Sequence, residues 1–142
     1  MKIRKTFFYL FIYLFLIGVS CQEENDYKEV DMIGTWDIDV YLRYKYVNDG
    51  VFKMDTFPLS GKFIFEKNGI GRKILLNKTS FIKWTKEKYA AKIIEDEIET
   101  SFVVKTDLEN EQTWIGNTYE RDSSFQQIRI EHTFFLERKK NK

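Results

Sequence analysis

The chain has 142 residues, which is enough for one ordinary domain and not for two. It contains 23 Lys and Arg residues against 22 Asp and Glu residues, so it lacks the strong basic excess that is typical of nucleic-acid-binding domains. Its single Cys and single His exclude an internal disulfide framework, a thiolate metal cluster and a multi-histidine metal site.

The first 21 residues have the pattern of a secretory signal. Three basic residues among the first five positions precede thirteen uncharged residues, 7–19. This run is shorter than the roughly 20 apolar residues that a membrane-spanning helix needs. Small residues then lead to Cys21, after which the chain turns polar. An ordinary signal peptide with an incidental Cys and an uncleaved anchor are the alternatives.

The Gly-Val-Ser-Cys segment at 18–21 resembles the lipobox of bacterial lipoproteins. The resemblance implies that residues 1–21 form a lipoprotein signal peptide and that Cys21 becomes the first mature residue. Cys21 would carry a diacylglycerol and an N-acyl lipid, such as palmitate, and hold the protein on the outer membrane of the cell envelope. The acidic run at 23–26 resembles the export signal of some surface-exposed lipoproteins, but it also suits a solvated tether over residues 22–32.

Residues 33–142 are predicted to form one β domain, because their dominant period is two. In the first strand the alternation predicts a buried face formed by Trp36, Ile38, Val40 and Leu42. It places Tyr41 and Arg43 on the opposite face, exposed to water. The last strand alternates in the same way and has a buried face formed by Ile128, Ile130, His132, Phe134 and Leu136.

Turn signals divide the remainder into short strands. Asn-Asp-Gly at 48–50 and Asn-Gly at 68–69 tolerate the positive φ angles of tight hairpins. The segment 58–61, which holds the only Pro, is predicted to end a strand. The spacing indicates eight or nine antiparallel strands in a sandwich or an up-and-down barrel. Residues 85–97 are the only stretch that also suits a helix.

Three motifs follow one another along this domain. Gly34-Thr35-Trp36 opens the first strand, F-x-F-x-x-x-G spans 63–69, and Phe-Phe-Leu-Glu-Arg-Lys ends the domain at 134–139. Their order resembles that of the small bacterial lipocalin-like lipoproteins. The resemblance implies an all-β, antiparallel up-and-down barrel with a ligand cup at one end. It also implies that a basic residue near the C-terminus covers Trp36, and counting by twos along the last strand leads to Arg138.

Four side chains are candidates for the wall of the cup: Trp84, Trp114, Tyr119 and His132. Aromatic side chains are typical of small-molecule sites when they point inward. If they point outward they mark a protein partner, and they also suit simple core filling. His132 suits either a polar contact with a ligand or a hydrogen-bonded core position.

The sequence favours a non-catalytic binding protein. No nucleophile motif accompanies the single His, and the acidic segment 95–99 lacks the ligand spacing of a calcium loop. We therefore expect no enzyme activity, no metal and no cofactor besides the lipid on Cys21. The expected partners are the membrane and a small apolar ligand or an envelope component. The alternative is an accessory lipoprotein whose barrel is filled and which acts through its outer surface.

Overall fold

A computed structural model shows how the alternating segments pair as strands and in which order they are connected. The structure describes residues 29–48 and 50–138. Within them, eight strands follow one another: β1 (Gly34–Val47), β2 (Gly50–Phe65), β3 (Ile70–Leu75), β4 (Lys78–Lys86), β5 (Ala90–Glu95), β6 (Ile98–Asp107), β7 (Glu111–Arg121) and β8 (Gln127–Glu137). A short 3₁₀ turn, Lys67–Gly69, joins β2 to β3. It contains the predicted Asn-Gly hairpin signal.

Antiparallel pairing of each strand with its neighbours closes the sheet into a barrel. β1 pairs with β8 as well as with β2, so the up-and-down barrel predicted from the sequence is confirmed. The stretch 85–97, for which a helix was the alternative, lies in β4, β5 and their turns. In the part of the chain that the structure describes, the pairing closes on itself and encloses one hydrophobic core cluster.

A β-bulge in β1 changes which side chains face the interior. The register with both neighbouring strands shifts between Ile38 and Val40. Beyond this point Tyr41 faces inward and is only 3% exposed, while Val40 and Leu42 are partly buried on the outer face. The prediction that Tyr41 and Arg43 face water was therefore wrong. One inserted residue reverses the alternation of every later residue in the strand.

β2 bends at residues 58–61 instead of ending there, which corrects the predicted break. Leu59 and Gly61 both have positive φ, at 45° and 151°. A side chain on Gly61 would place its Cβ 1.9 Å from the carbonyl oxygen of Ile74, so only glycine fits this close approach. Among the described residues, β2 pairs with β3 only over 61–65, and its first half extends beyond that pairing beside β1.

The hydrophobic core fills the end of the barrel where β1 begins and β8 ends. Trp36, Trp114, Phe63 and Phe65 are among the largest fully buried side chains there. The segment just before β1 covers this end, since Met32 is 2% exposed and Val30 packs against the core. Residues 30–32, assigned to the polar tether from the sequence, therefore belong to the folded domain.

Candidate ligand-binding site

An open cavity occupies the end of the barrel opposite the core. Its volume is about 660 Å³, and it opens between the β3–β4, β5–β6 and β7–β8 turns. Every strand of the barrel contributes at least one residue to its lining. Cavities that hold small molecules generally measure about 300–1,000 Å³. The aromatic residues of the sequence therefore fill only part of the barrel.

Aromatic rings form the deep part of the cavity. Phe63 and Phe102 pack against Phe134 with ring centroids 5.4 and 5.8 Å apart. The Tyr41 ring stacks on Phe134 at 4.8 Å. These four side chains belong both to the core and to the lining, so the cavity ends on an apolar floor.

A neutral hydrogen-bonded cluster stands above this floor on one wall. The Tyr41 hydroxyl lies 2.7 Å from Nδ1 of His132, and Oγ1 of Thr118 lies 2.8 Å from Nε2 of the same ring. β1, β8 and β7 are adjacent, so closure of the barrel brings the three side chains together. Both nitrogens of the only histidine are therefore engaged by hydroxyl groups.

Burial keeps this cluster uncharged. It lowers the pKa of His132 to about 4, and the positive charges of Lys73 and Arg43 act in the same direction. Burial also raises the pKa of Tyr41 to about 12. A neutral imidazole has one N–H and one acceptor nitrogen, so one hydroxyl donates to the ring and the other accepts from it. In either tautomer, one hydroxyl hydrogen of the cluster stays available.

An ion pair lies on the opposite wall. The Lys73 ammonium donates a hydrogen bond to the Glu95 carboxylate, and both side chains are about four-fifths buried. Burial raises the pKa of Glu95, but Lys73, Ser80 and the charge of Lys78 together outweigh this, so that the pKa lies below its usual value. Ser80 is buried between them on β4. Its Oγ helps to lower that pKa, but it makes no well-formed hydrogen bond.

The candidates predicted from the sequence occupy three different places. His132 lies on the cavity wall. Trp84 and Trp114 pack at the closed end, below the cavity, where their rings lie 4.9 and 5.7 Å from Phe65. Tyr119 sits at the rim but is 61% exposed, in register with Arg129. The structure thus brings only His132 of the four into the interior of the cup.

The Trp114 side chain is held in the core by a polar network. Its Nε1 donates to Oε1 of Gln112, and Nε2 of Gln112 donates to the Asp107 carboxylate and to the carbonyl of Leu108. Asp107 also pairs at 3.0 Å with Lys86, whose side chain is 2% exposed. These bonds satisfy the indole N–H of a fully buried ring, and a structural role accounts for Trp114.

Sequence reasoning missed most of the polar lining. Tyr41 was assigned to the wrong face because of the bulge, and Thr118 and Lys73 carry no motif. The distance from His132 to Thr118 depends on the pairing of β7 with β8, which no local pattern contains. An inward-facing Tyr at position 41 is a weak signal of a polar cavity, but its inward orientation follows only from the bulge.

The contact expected between Trp36 and Arg138 is present at the closed end. The Arg138 guanidinium lies 4.3 Å from the centroid of the Trp36 ring. It also donates to the carbonyls of Asp31 and Ile33, and Trp36 Nε1 donates to the carbonyl of Met32 at 3.0 Å. The end of the last strand and the segment before β1 are thus joined at the closed end of the barrel.

Several expectations concern residues outside those described. The signal sequence, Cys21 and the tether up to residue 28 all lie there. In the part of the chain that the structure describes, no group of three or more His, Cys, Asp or Glu side chains is arranged to hold a metal ion. The same part contains no helix that is both long and apolar enough to cross a membrane.

The fold and the cavity define an all-β protein: a closed antiparallel barrel with one packed end and one open end. Comparisons of the chain with protein-family profiles, with curated proteins and with solved structures gave no match.

Proposed function

We propose that this protein is a lipid-anchored, lipocalin-like lipoprotein that binds a small, largely apolar molecule in its cup and performs no chemistry on it. The observation that carries the proposal is the cavity of about 660 Å³ above a floor of Tyr41, Phe63, Phe102 and Phe134. An apolar floor with a few polar groups above it is the usual composition of a small-molecule site. The order of motifs along the chain adds the lipocalin-like assignment.

The state of His132 supports binding rather than catalysis. A general base works best with a pKa near the working pH, whereas the pKa of His132 is about 4. Its two nitrogens are occupied by Tyr41 and Thr118. In a nucleophilic triad a carboxylate binds the second ring nitrogen of the histidine, and here a second hydroxyl takes that place. The cluster is suited to orienting a ligand by hydrogen bonds.

The anchor would leave the barrel at its closed end. Residues 29–33 lie beside the start of β1, and Cys21 is eight residues before Glu29, a distance of at most about 30 Å even when fully extended. Lipid on Cys21 would therefore tether the closed end to the membrane. The mouth of the cup lies at the other end of the barrel, away from the anchor, and would take its ligand from the aqueous side.

An accessory role through the outer surface is the second candidate. The half of β2 that extends beyond β3 exposes Phe52 and Met54, and Leu59 is 81% exposed at the bend. Exposed apolar side chains grouped on one strand are typical of a protein contact. Replacing Phe52 with Ser would then abolish co-purification of an envelope protein while leaving the cup intact.

Extraction of bound molecules tests the primary proposal. The chain without residues 1–21 is purified from the periplasm without detergent, and its organic extract is analysed by mass spectrometry. We expect one class of small molecule at close to one per chain. In the matched variant Thr100→Trp, the indole would occupy the cavity and the molecule should be lost. An extract that is the same for both proteins would contradict the proposal.

A further inference from the structure

We propose that the cup selects an uncharged ligand with a hydroxyl-like polar group and rejects carboxylates of the same size. The inference rests on the proposed binding function, since it specifies the class of molecule that the same cavity takes. Three features of the lining carry it: paired charges in the interior, polar groups with unused hydrogen-bonding capacity, and an acidic rim.

Among the described residues that line the cavity, the interior has no spare charge for an ionic ligand. Lys73 and Glu95 are the charged side chains of the wall that are mostly buried, and they neutralise each other. His132 faces them as a neutral ring between two hydroxyls. A carboxylate entering this space would lose its hydration, and it could gain a counterion only by displacing Glu95 from Lys73. Burying an ion without a partner costs several kcal/mol in general.

Uncharged polar groups, in contrast, find partners in the lining. Ser80 Oγ is buried and makes no well-formed hydrogen bond. The cluster of Tyr41, His132 and Thr118 retains one uncommitted hydroxyl hydrogen in either tautomer. A ligand hydroxyl can both donate and accept, so it can bond to either group without disturbing the ion pair. The aromatic floor takes the apolar part of the same molecule.

The rim acts in the same direction during entry. Asp96, Glu99 and Glu120 line the mouth, against one basic residue, Lys78. Lys92 pairs with Glu99 at 3.1 Å, but both side chains are about half exposed and the pair is screened by water. An anion that enters past these three carboxylates meets like charges in the lining, which slows its association.

The test compares three competitors that share one ten-carbon chain and differ in their polar group. Decanol, decanoate and decylamine each compete with the uncharged fluorescent probe N-phenyl-1-naphthylamine for the chain without residues 1–21, at pH 7. We expect decanol to displace the fluorescent probe at a concentration about tenfold or more below that of decanoate, because the carboxylate, unlike the hydroxyl, is buried without a counterion. Decylamine should also bind more weakly than decanol.

Two variants of the ion pair should change this order in opposite directions. Glu95→Gln leaves the Lys73 ammonium unpaired, so decanoate should gain about tenfold relative to decanol. Lys73→Met leaves the Glu95 carboxylate unpaired, so decylamine should gain instead. Glu97→Gln is the matched control, since Glu97 lies two residues after Glu95 in the β5–β6 turn and outside the cavity lining, and the order should stay as in the wild type.

The outcomes separate this inference from the function on which it rests. If decanoate displaces the fluorescent probe from the wild-type chain as well as decanol does, selection for an uncharged ligand is wrong, while ligand binding stands. An unchanged order in both ion-pair variants also contradicts it. If the fluorescent probe itself does not bind, the proposed function and the inference fail together.

Discussion

The guanidinium of Arg138 lies over the Trp36 ring, 4.3 Å from its centroid, although 102 positions separate the two residues in the chain. The same guanidinium donates to the carbonyls of Asp31 and Ile33. One side chain therefore holds the end of β8, the start of β1 and the segment that covers the core. We infer that this contact closes the packed end of the barrel.

Mutation of this pair should show a measurable energetic coupling. Trp36→Ala should cost about 3–5 kcal/mol of unfolding free energy, since the ring is fully buried. Because that loss can prevent folding, Trp36→Phe is the better partner for Arg138→Ala in a double-mutant cycle. We expect a coupling of about 0.5–2 kcal/mol by urea denaturation.

Arg129 provides the control for this cycle. Its guanidinium lies 4.0 Å from the Tyr46 ring near the open end, where the pair is partly exposed. A cycle on Arg129 and Tyr46 should give a coupling near the lower end of the same range. Zero coupling between Trp36 and Arg138 would show that the guanidinium does not cover the ring.

The buried His132 should make the fold sensitive to mild acid. Its pKa is about 4 in the folded state and about 6.5 when unfolded, so the unfolded chain binds the proton more tightly. Stability conferred by the neutral ring is complete above pH 6.5 and declines as the pH falls towards 4. Between pH 7 and pH 5 the loss should be about 2 kcal/mol.

His132→Gln isolates this contribution. The carboxylates titrate alike in both proteins, so the difference in pH dependence between wild type and variant belongs to the histidine. Urea denaturation at pH 7 and pH 5 should give a smaller loss for the variant. Equal losses would mean that His132 is readily protonated in the folded state.

A side chain at position 116 should destabilise the barrel. Gly116 faces Phe102 across the β6–β7 pair, and a Cβ on it would lie 2.6 Å from the Phe102 ring and 2.8 Å from the carbonyl oxygen of Ser101. Gly116→Ala should cost about 1–3 kcal/mol by overpacking. Adding Phe102→Leu should recover part of the loss, as measured by thermal and urea denaturation. Simple addition of the two losses would contradict this contact.

Lipidation should depend on Cys21. Its thiol is the only one in the chain and is the proposed acceptor of the diacylglycerol. Cys21→Ala should abolish labelling with radioactive palmitate and release the protein from the membrane fraction, or cause the precursor to accumulate. Ser20→Ala keeps a small residue before the Cys and should be labelled normally. Continued labelling of the Cys21→Ala protein would rule out the lipoprotein assignment.

Local patterns were sufficient for the strands and their order. Alternation by two and turn residues such as Asn68 and Gly69 depend only on neighbouring positions, so the up-and-down barrel could be predicted. The bulge after Ile38 could not be predicted, because the residues around it alternate without interruption. Its consequence was large, since it turned Tyr41 into the cavity.

The candidate site depended on contacts between distant strands. From the sequence, Trp84 and Trp114 could equally well line a cavity. The structure places both at the closed end, because their positions along the barrel axis depend on how their strands pair. The pairing of Lys73 with Glu95 joins β3 to β5, over an intervening strand. The position of a residue along the barrel axis is set by the register between strands, which the sequence of one strand does not contain.

Binding of a neutral probe to the cup tests the central claim most directly. Thr100 lines the cavity, and Ser101, its neighbour on β6, is exposed on the outer face. Titration of N-phenyl-1-naphthylamine should show a fluorescence increase that saturates at one molecule per chain for the wild type and for Ser101→Trp. Thr100→Trp should weaken this binding more than tenfold while remaining folded by circular dichroism. Equal binding to both Trp variants would contradict the assignment of the cup as the binding site.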